Sequence, residues 1–411
     1  MRKILIVGAG GQGAPCASIL ARDKDVAKIV IGDIDIGLAN KVKDKVKSDK
    51  ISAVKVDAGK IEDVERAAKG MDVIINLTLL RFNSNIMNAA VSSGAHYVDS
   101  AFGEPIGNWI IKKQPFEIDD EFKKAGLTAL IGCGGSPGIT NVLTRYVCDK
   151  LDHIDGIHIR VGDKLLEKPR DMVRTWEPTW SPEIALADYA SESMAFENGE
   201  YRICPPFSGG EEYDFPPPVG PVVVCHHAHE EPITLPHFIG KGLRNVDFKY
   251  AVDPTAGSLV KMGFASSKSM DVKGVKVTPV DVLMKLVHRP VDIFFTEDET
   301  SASTPPKSIH PYLVEVEGEK SGENLRYKIW WPSSLFTTAA EKLELYRKFG
   351  TTKISVALPA IAGAKMCMQS EADRGVIPPE CLDPVKFLKA MAEIGWPVKF
   401  HEVLSKEVAI L

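Results

Sequence analysis

Lys3-Ile4-Leu5-Ile6-Val7-Gly8-Ala9-Gly10-Gly11-Gln12-Gly13-Ala14-Pro15 is an apolar, β-branched run that stops at glycine and leads into a helix-forming stretch. In a strand–turn–helix of this kind the first glycine permits the tight turn. The second lets backbone approach a diphosphate, and the third lets helix and strand pack closely. Pro15 falls in the first helical turn, where amides have no intrahelical partner to lose. Gly8, Gly10, Gly11, Gln12 and Gly13 are therefore candidates to hold a dinucleotide at a helix N-terminus, where amide donors and a partial positive charge meet the phosphates.

Working outward, Asp33 stands twenty residues beyond Gly13, at the end of the next β-branched run. A carboxylate there accepts the adenosine ribose hydroxyls and repels a 2′-phosphate. Asp35 adds to the repulsion, Ile34 lies between them, and no arginine occupies 34–36, so the expected cofactor is NAD rather than NADP. Runs ending near 57, 76 and 99 alternate with helix-period stretches at 36–48, 61–69, 84–93 and 117–125. This alternation implies parallel strands joined by right-handed crossovers. The fold class expected is α/β, a doubly wound parallel Rossmann-type sheet over residues 1–131. Loops at the strand ends add Asp57, Ala58, Asn76, Leu77, Thr78 and Ser100 as candidate cofactor contacts, with Asp57 equally suited to capping the helix that follows.

Beyond residue 131 the rhythm changes. Strands are expected at 154–161, 220–228, 245–251, 270–277, 310–317 and 325–331, separated by long irregular segments. That pattern reads as a second α+β domain on a mixed or antiparallel sheet, spanning 132–351. The proline- and glycine-rich 205–221 reads as a long surface loop. Helices are expected at 335–349, 352–368 and 384–394, the last ones packing back on the first domain.

A net charge of -5 offers no general attraction to polyanions, so neither nucleic acid nor a membrane surface is an expected partner. Seven scattered cysteines without a CxxC pair argue against disulfides and a cysteine-rich zinc site. With no long apolar segment, the expected location is the cytoplasm. The apolar YKIWWP at 327–332 suggests a surface covered by a second copy, hence a homodimer.

The stretches VGAGGQGAPCA (7–17), GDID (32–35), GAHYVDSA (94–101), GSPGITNVL (135–143), WSPE (180–183), HEEPITLP (229–236), GLRNVDFK (242–249) and GVIPPECLDP (375–384) together resemble the saccharopine dehydrogenase family. Ser136 replaces an acid found in saccharopine reductases and carboxynorspermidine enzymes, which brings the chain nearer the lysine 6-dehydrogenase-like branch. The resemblance implies no metal. It implies NAD-dependent hydride transfer at a carbon–nitrogen bond of an amino-acid-derived amine, through an imine. The Rossmann motif by itself also admits a dehydrogenase of an aldehyde or hydroxy acid, or a non-catalytic NAD-binding protein.

Amine chemistry needs a proton-exchanging group and a counter-charge for a substrate carboxylate. Asp99, at a strand end facing the crevice, is the first candidate for proton exchange, with a structural cap as its other role. His226, His227, His229, Glu230 and Glu231 form a second cluster. Strand alternation would place His229 and Glu231 on one face, as a catalytic or a structural pair. Arg174 and Arg244 are candidates to bind carboxylate, either being equally able to form a surface ion pair, and Lys241 is a third choice. Trp180 and Trp176 could wall the substrate or pack the core. Cys133 and Ser136 end the sixth strand, where nicotinamide is expected.

Overall fold

The computed structural model describes residues 1–103, 116–166, 176–178, 180–331, 338–395 and 399–406. Its first sheet contains β1 (Arg2–Val7), β2 (Val26–Asp33), β3 (Ile51–Lys55), β4 (Val73–Asn76), β5 (His96–Asp99) and β6 (Thr128–Leu130). A seventh strand, Gly375–Ile377, comes from near the end of the chain and pairs with β6. The order is Gly375–Ile377, β6, β5, β4, β1, β2, β3, and every pairing is parallel. The direction in which successive strands are added reverses between β1 and β4, the switch point where open α/β sheets bind ligands.

Both faces are covered, which is why β4 reads as an unbroken apolar run. Ile4 and Ile6 face one core, shared with α1 (Gly13–Ala21) and α2 (Ile36–Val46), whereas Leu5 and Val7 face the other. The helix Ala357–Met368 is buried along nearly its whole length and packs on this sheet. A helix apolar on all sides belongs in a core.

The second sheet has nine strands and mixed pairing. Asn245–Ala251 runs parallel to His153–Val161, which pairs antiparallel with Tyr312–Lys320. Glu323–Trp331 and His401–Lys406 extend that side.

Several expectations need correction. Segment 205–221 is not a plain surface loop, because Glu211–Phe215 forms a hairpin with Gly220–His226, burying Phe215 against Leu313 and Ile309. Alternation of Glu211, Tyr213 and Phe215 outweighs the prolines, which gather at the turn. The strand expected at 270–277 is a two-stranded hairpin turning at Lys273-Gly274, both with positive φ, the backbone that a tight hairpin turn requires. The strand expected at 220–228 ends at His226, and Glu231–Phe238 is a helix. In YKIWWP, Tyr327 and Ile329 are buried within the chain and Trp330 stacks on His401. Among the described residues, no helix is long and apolar enough to cross a membrane.

Candidate functional site

The glycine loop meets a geometric test for a dinucleotide. A Cβ on Gly8, whose φ is +101°, would lie 2.6 Å from the Leu77 carbonyl oxygen, and one on Gly13 would lie 1.7 Å from the Gly8 oxygen. Neither position admits a side chain. A Cβ on Gly10 would meet nothing within 4 Å, so the middle of the loop is open on the side a diphosphate would approach. Asp33 is built into this cradle: one carboxylate oxygen accepts the Ala9 N–H at 2.7 Å and the other the Asp35 N–H at 2.9 Å. Asp35 caps α2 by accepting the Gly37 and Leu38 amides, and Ile34 is exposed beside them. These residues would hold the adenosine half of a nicotinamide dinucleotide.

At the neighbouring strand ends several candidates serve the scaffold. Asp57 accepts the Gly59 N–H and lies 3.6 Å from Lys60, while Ala58 is buried. The helix Ile61–Ala68 has no side-chain cap, so Asp57 does not cap it. Asn76 is buried; its Oδ1 accepts the Thr78 N–H and hydroxyl, and its Nδ2 donates to the Tyr97 oxygen at 2.9 Å. Leu77 closes over Gly8, and Ser100 packs against Gly134.

Asp99 ends this chain of bonds. Its carboxyl is 1% exposed and accepts the Tyr97 hydroxyl at 2.8 Å and the Gly132 N–H at 2.6 Å. Burial pushes its pKa up to about 8 against the pull of these donors. Asp99 thus joins β5 to the Gly132 turn, with both carboxyl oxygens engaged.

The second unit brings its own cluster over the ends of β5 and β6. His229 Nδ1 lies 2.5 Å from Glu231 Oε2, and its ring stacks on Phe248 with centroids 3.9 Å apart. Glu231, fully buried, also accepts the hydroxyls of Ser136 at 2.6 Å and Thr140 at 2.7 Å. Glu230 accepts the amides of Phe102 at 3.1 Å and Gly103 at 2.8 Å. Two adjacent carboxylates thus fasten His229 to the loops that follow β5 and β6. Burial alone would lower the imidazole pKa, but the charge and hydrogen bond of Glu231, with Glu230 and Asp188 nearby, push it up to about 9. Burial works to raise Glu231, and the same imidazolium with the two hydroxyls holds it below its usual value. Asp188, beside the pair, is driven up to about 8 by burial and by Glu230. His227, two residues earlier and just past the strand end, falls to about 3 through burial and the charge of His229. The result is one imidazolium among carboxyl groups in a desolvated pocket.

His229, Glu230 and Glu231 bring ligand-type atoms within 4.8 Å of one another, a spacing that could admit a cation. Here Nδ1 is engaged by Glu231 and Glu230 Oε1 by two backbone amides.

Family models cover both units: the saccharopine dehydrogenase NADP binding domain matches residues 4–130, and the saccharopine dehydrogenase C-terminal domain matches 134–396. The chain belongs to the saccharopine dehydrogenase family. It is an oxidoreductase of that family, with a nicotinamide-binding domain. Among similar proteins, carboxyaminopropylagmatine dehydrogenase of Synechocystis is 25% identical over 98% of each chain. Carboxynorspermidine synthase of Vibrio cholerae is 26% identical over 99% of each. The fold matches saccharopine dehydrogenase (L-Glu forming) from Saccharomyces cerevisiae with a TM-score of 0.67, at 14% identity over 98% of this chain and 100% of that one. It also matches the homospermidine synthase of Legionella pneumophila solved with NAD, with a TM-score of 0.66, at 15% identity over 98% and 91%.

In this saccharopine dehydrogenase family member the two described candidates for binding carboxylate, Arg244 and Lys241, are engaged elsewhere. Arg244 is exposed, and its guanidinium donates to the Asn198 carbonyl at 3.4 Å, so it is a surface group. Arg174 lies outside the described residues. Lys241 donates to the Cys148 and Leu151 carbonyls at the end of the helix Ile139–Cys148. Trp176 is buried, and Trp180 packs with it in an apolar cluster around Leu186 and Tyr189. Cys133 is buried, its thiol directed at the Pro359 carbonyl.

His229 and Glu231 do lie together, but on an irregular bend and a helix start rather than on one strand face. Thr140, Asp188 and Tyr312, whose hydroxyl oxygen would meet a Cβ on Gly135 at 3.1 Å, carry no local signal of a place in this cluster beyond one helix start. Asp188 was signalled by Ser181-Pro182, a cap and an N1 proline that announce the helix Pro182–Ala190.

Proposed function

We propose that the protein is an NAD-dependent dehydrogenase acting on the CH–NH bond of an amino-acid-derived amine, with a carboxylated amine of the polyamine-precursor type favoured as substrate. The observation that carries this reading is the pair of half-buried His229 and buried Glu231 fastened above β5 and β6, on the far side of the switch point from Asp33. That is the side left for the nicotinamide when adenosine lies at β2. When bound, the cofactor gives or takes hydride.

The chain's own residues do the rest. Nδ1 of His229 is committed to Glu231, so the other ring nitrogen is the one to exchange a proton with the amine nitrogen. Glu231 keeps the ring charged, and Ser136 and Thr140 hold Glu231 still. With its pKa near 9, His229 is a proton donor at neutral pH and suits the reductive direction. Glu231 stays ionised, and Asp188 and Glu230, raised by burial, can ionise as a positive charge approaches, so the site favours a cationic amine over an anionic hydroxy acid. The names of two relatives, carboxynorspermidine synthase and carboxyaminopropylagmatine dehydrogenase, support a carboxylated amine. Asp33 and Asp35 support NAD ahead of NADP.

Nicotinamide absorbance followed with lysine, saccharopine, carboxylated polyamines and 2-hydroxy acids tests the reading. Turnover of an amine, reduced about 10²-fold or more by His229→Gln, is expected. Turnover of hydroxy acids alone would overturn it.

A further inference from the structure

The helix Pro290–Thr296 belongs to the second unit, yet it rests on the glycine loop. A Cβ on Gly11 would lie 2.5 Å from Pro290 Cβ, so this approach exists only because residue 11 is glycine. The far end is tied as well: Lys45, on α2, donates to the carbonyls of Phe295 at 3.3 Å and Glu297 at 3.1 Å. Held at both ends, the segment carries Arg289 to the adenosine side of the loop. Arg289 precedes Pro290 at the end of the segment that meets the glycine loop, and the hydrogen bond and charge of Asp292, joined by the charge of Asp35, raise its pKa. The guanidinium is 60% exposed and bonds to Asp292 at 2.7 and 3.1 Å, leaving further N–H donors for a ligand.

The end of β2 supplies no cation of its own, since residues 33–38 are Asp, Ile, Asp, Ile, Gly and Leu. Both acids are anchored by backbone amides and cannot easily swing away from a 2′-phosphate. A positive charge for such a group must therefore come from another part of the fold. Arg289 is the residue that the packing of Pro290 on Gly11 delivers there. A guanidinium matches phosphate through paired hydrogen bonds.

We propose that Arg289 determines cofactor specificity from the second unit, offering a 2′-phosphate the counter-charge that β2 lacks, so that the enzyme accepts NADP as well as NAD. This rests on the dinucleotide reading of the glycine loop and deepens it. It also brings an NAD-type acid and a family model described as NADP binding into one scheme: two anchored carboxylates oppose the 2′-phosphate, and one guanidinium, shared with Asp292, offsets part of that repulsion.

Calorimetric titration of the intact protein with NAD and NADP, in the wild type and in Arg289→Ala, Arg289→Lys and Asp292→Asn, tests it. The readout is the ratio of the NADP to the NAD dissociation constant. Arg289→Ala should raise the ratio at least tenfold, Arg289→Lys should restore most of the loss, and Asp292→Asn, by freeing the guanidinium, should lower the ratio about threefold. Added salt should narrow the difference between wild type and Arg289→Ala. A ratio within twofold of wild type in Arg289→Ala overturns the proposal, as does a wild type that binds NAD and shows no NADP binding at millimolar concentration. A wild type that binds neither dinucleotide overturns the underlying cofactor reading instead.

Discussion

Replacing Glu231 by glutamine tests the electrostatic core of the site with little change of shape. Glutamine keeps an oxygen to accept the Ser136 and Thr140 hydroxyls, so the change isolates the charge. In the folded protein the His229 pKa stands near 9 against 6.5 for the free group. At about 1.4 kcal/mol per pH unit, this difference stabilises the fold by about 3 kcal/mol. A folded value above the unfolded one makes the contribution complete below pH 6.5 and loses it as pH rises through 9. Linkage leaves about 2 kcal/mol at pH 7.5 and under about 0.5 kcal/mol at pH 9. In Glu231→Gln burial prevails and drives the ring toward neutrality, although Glu230 and Asp188 still retain part of the attraction. Urea unfolding followed by tryptophan fluorescence should therefore show the variant less stable by about 2–3 kcal/mol at pH 6, with the two proteins converging to within about 1 kcal/mol at pH 9. A deficit that stays constant across that range would refute the reasoning, because it would trace to lost packing or hydrogen bonding rather than to the imidazolium.

Gly13→Ala should abolish NAD binding and cost about 3 kcal/mol, because the new carbon would lie 1.7 Å from the Gly8 oxygen and the loop must open to admit it; calorimetric titration with a thermal melt checks both, and normal NAD affinity would contradict the cradle. Asp99→Asn should keep turnover within about fivefold, since it mimics a carboxyl that burial already keeps largely protonated at neutral pH, whereas Asp99→Leu should destabilise by about 2 kcal/mol by leaving the Gly132 N–H without its acceptor. A 100-fold loss of turnover in the asparagine variant would return Asp99 to the proton-exchange role. His229→Gln should also flatten the alkaline limb of the pH–rate profile near pH 9, and an unchanged limb would assign that ionisation to another group.

Much of the nucleotide half was legible because its signals are local. Gly8, Gly13 and Asp33 act through the turn, the helix start and the strand end beside them, all within one βαβ unit, and period and spacing report such units directly. The parallel order of β1 to β6 follows from alternation for the same reason. The seventh strand, Gly375–Ile377, was not legible: three apolar residues far along the chain carry no sign of which sheet edge they will join.

The cluster around His229 depends on contacts that no spacing encodes. Ser136 meets Glu231 across 95 residues, and Phe102 and Gly103 meet Glu230 across 128 and 127. Pro290 comes to rest on Gly11 from still farther away in sequence. Local backbone preference determined the cradle, the carboxylate at the end of β2 and the strand alternation from the sequence alone. Tertiary structure decided which carboxyl groups surround His229, that Asp99 ties β5 to the Gly132 turn, and that Pro290 of the second unit rests on Gly11. Those outcomes depend on desolvation and on charge pairing between distant segments, and both come into being only when the chain has folded.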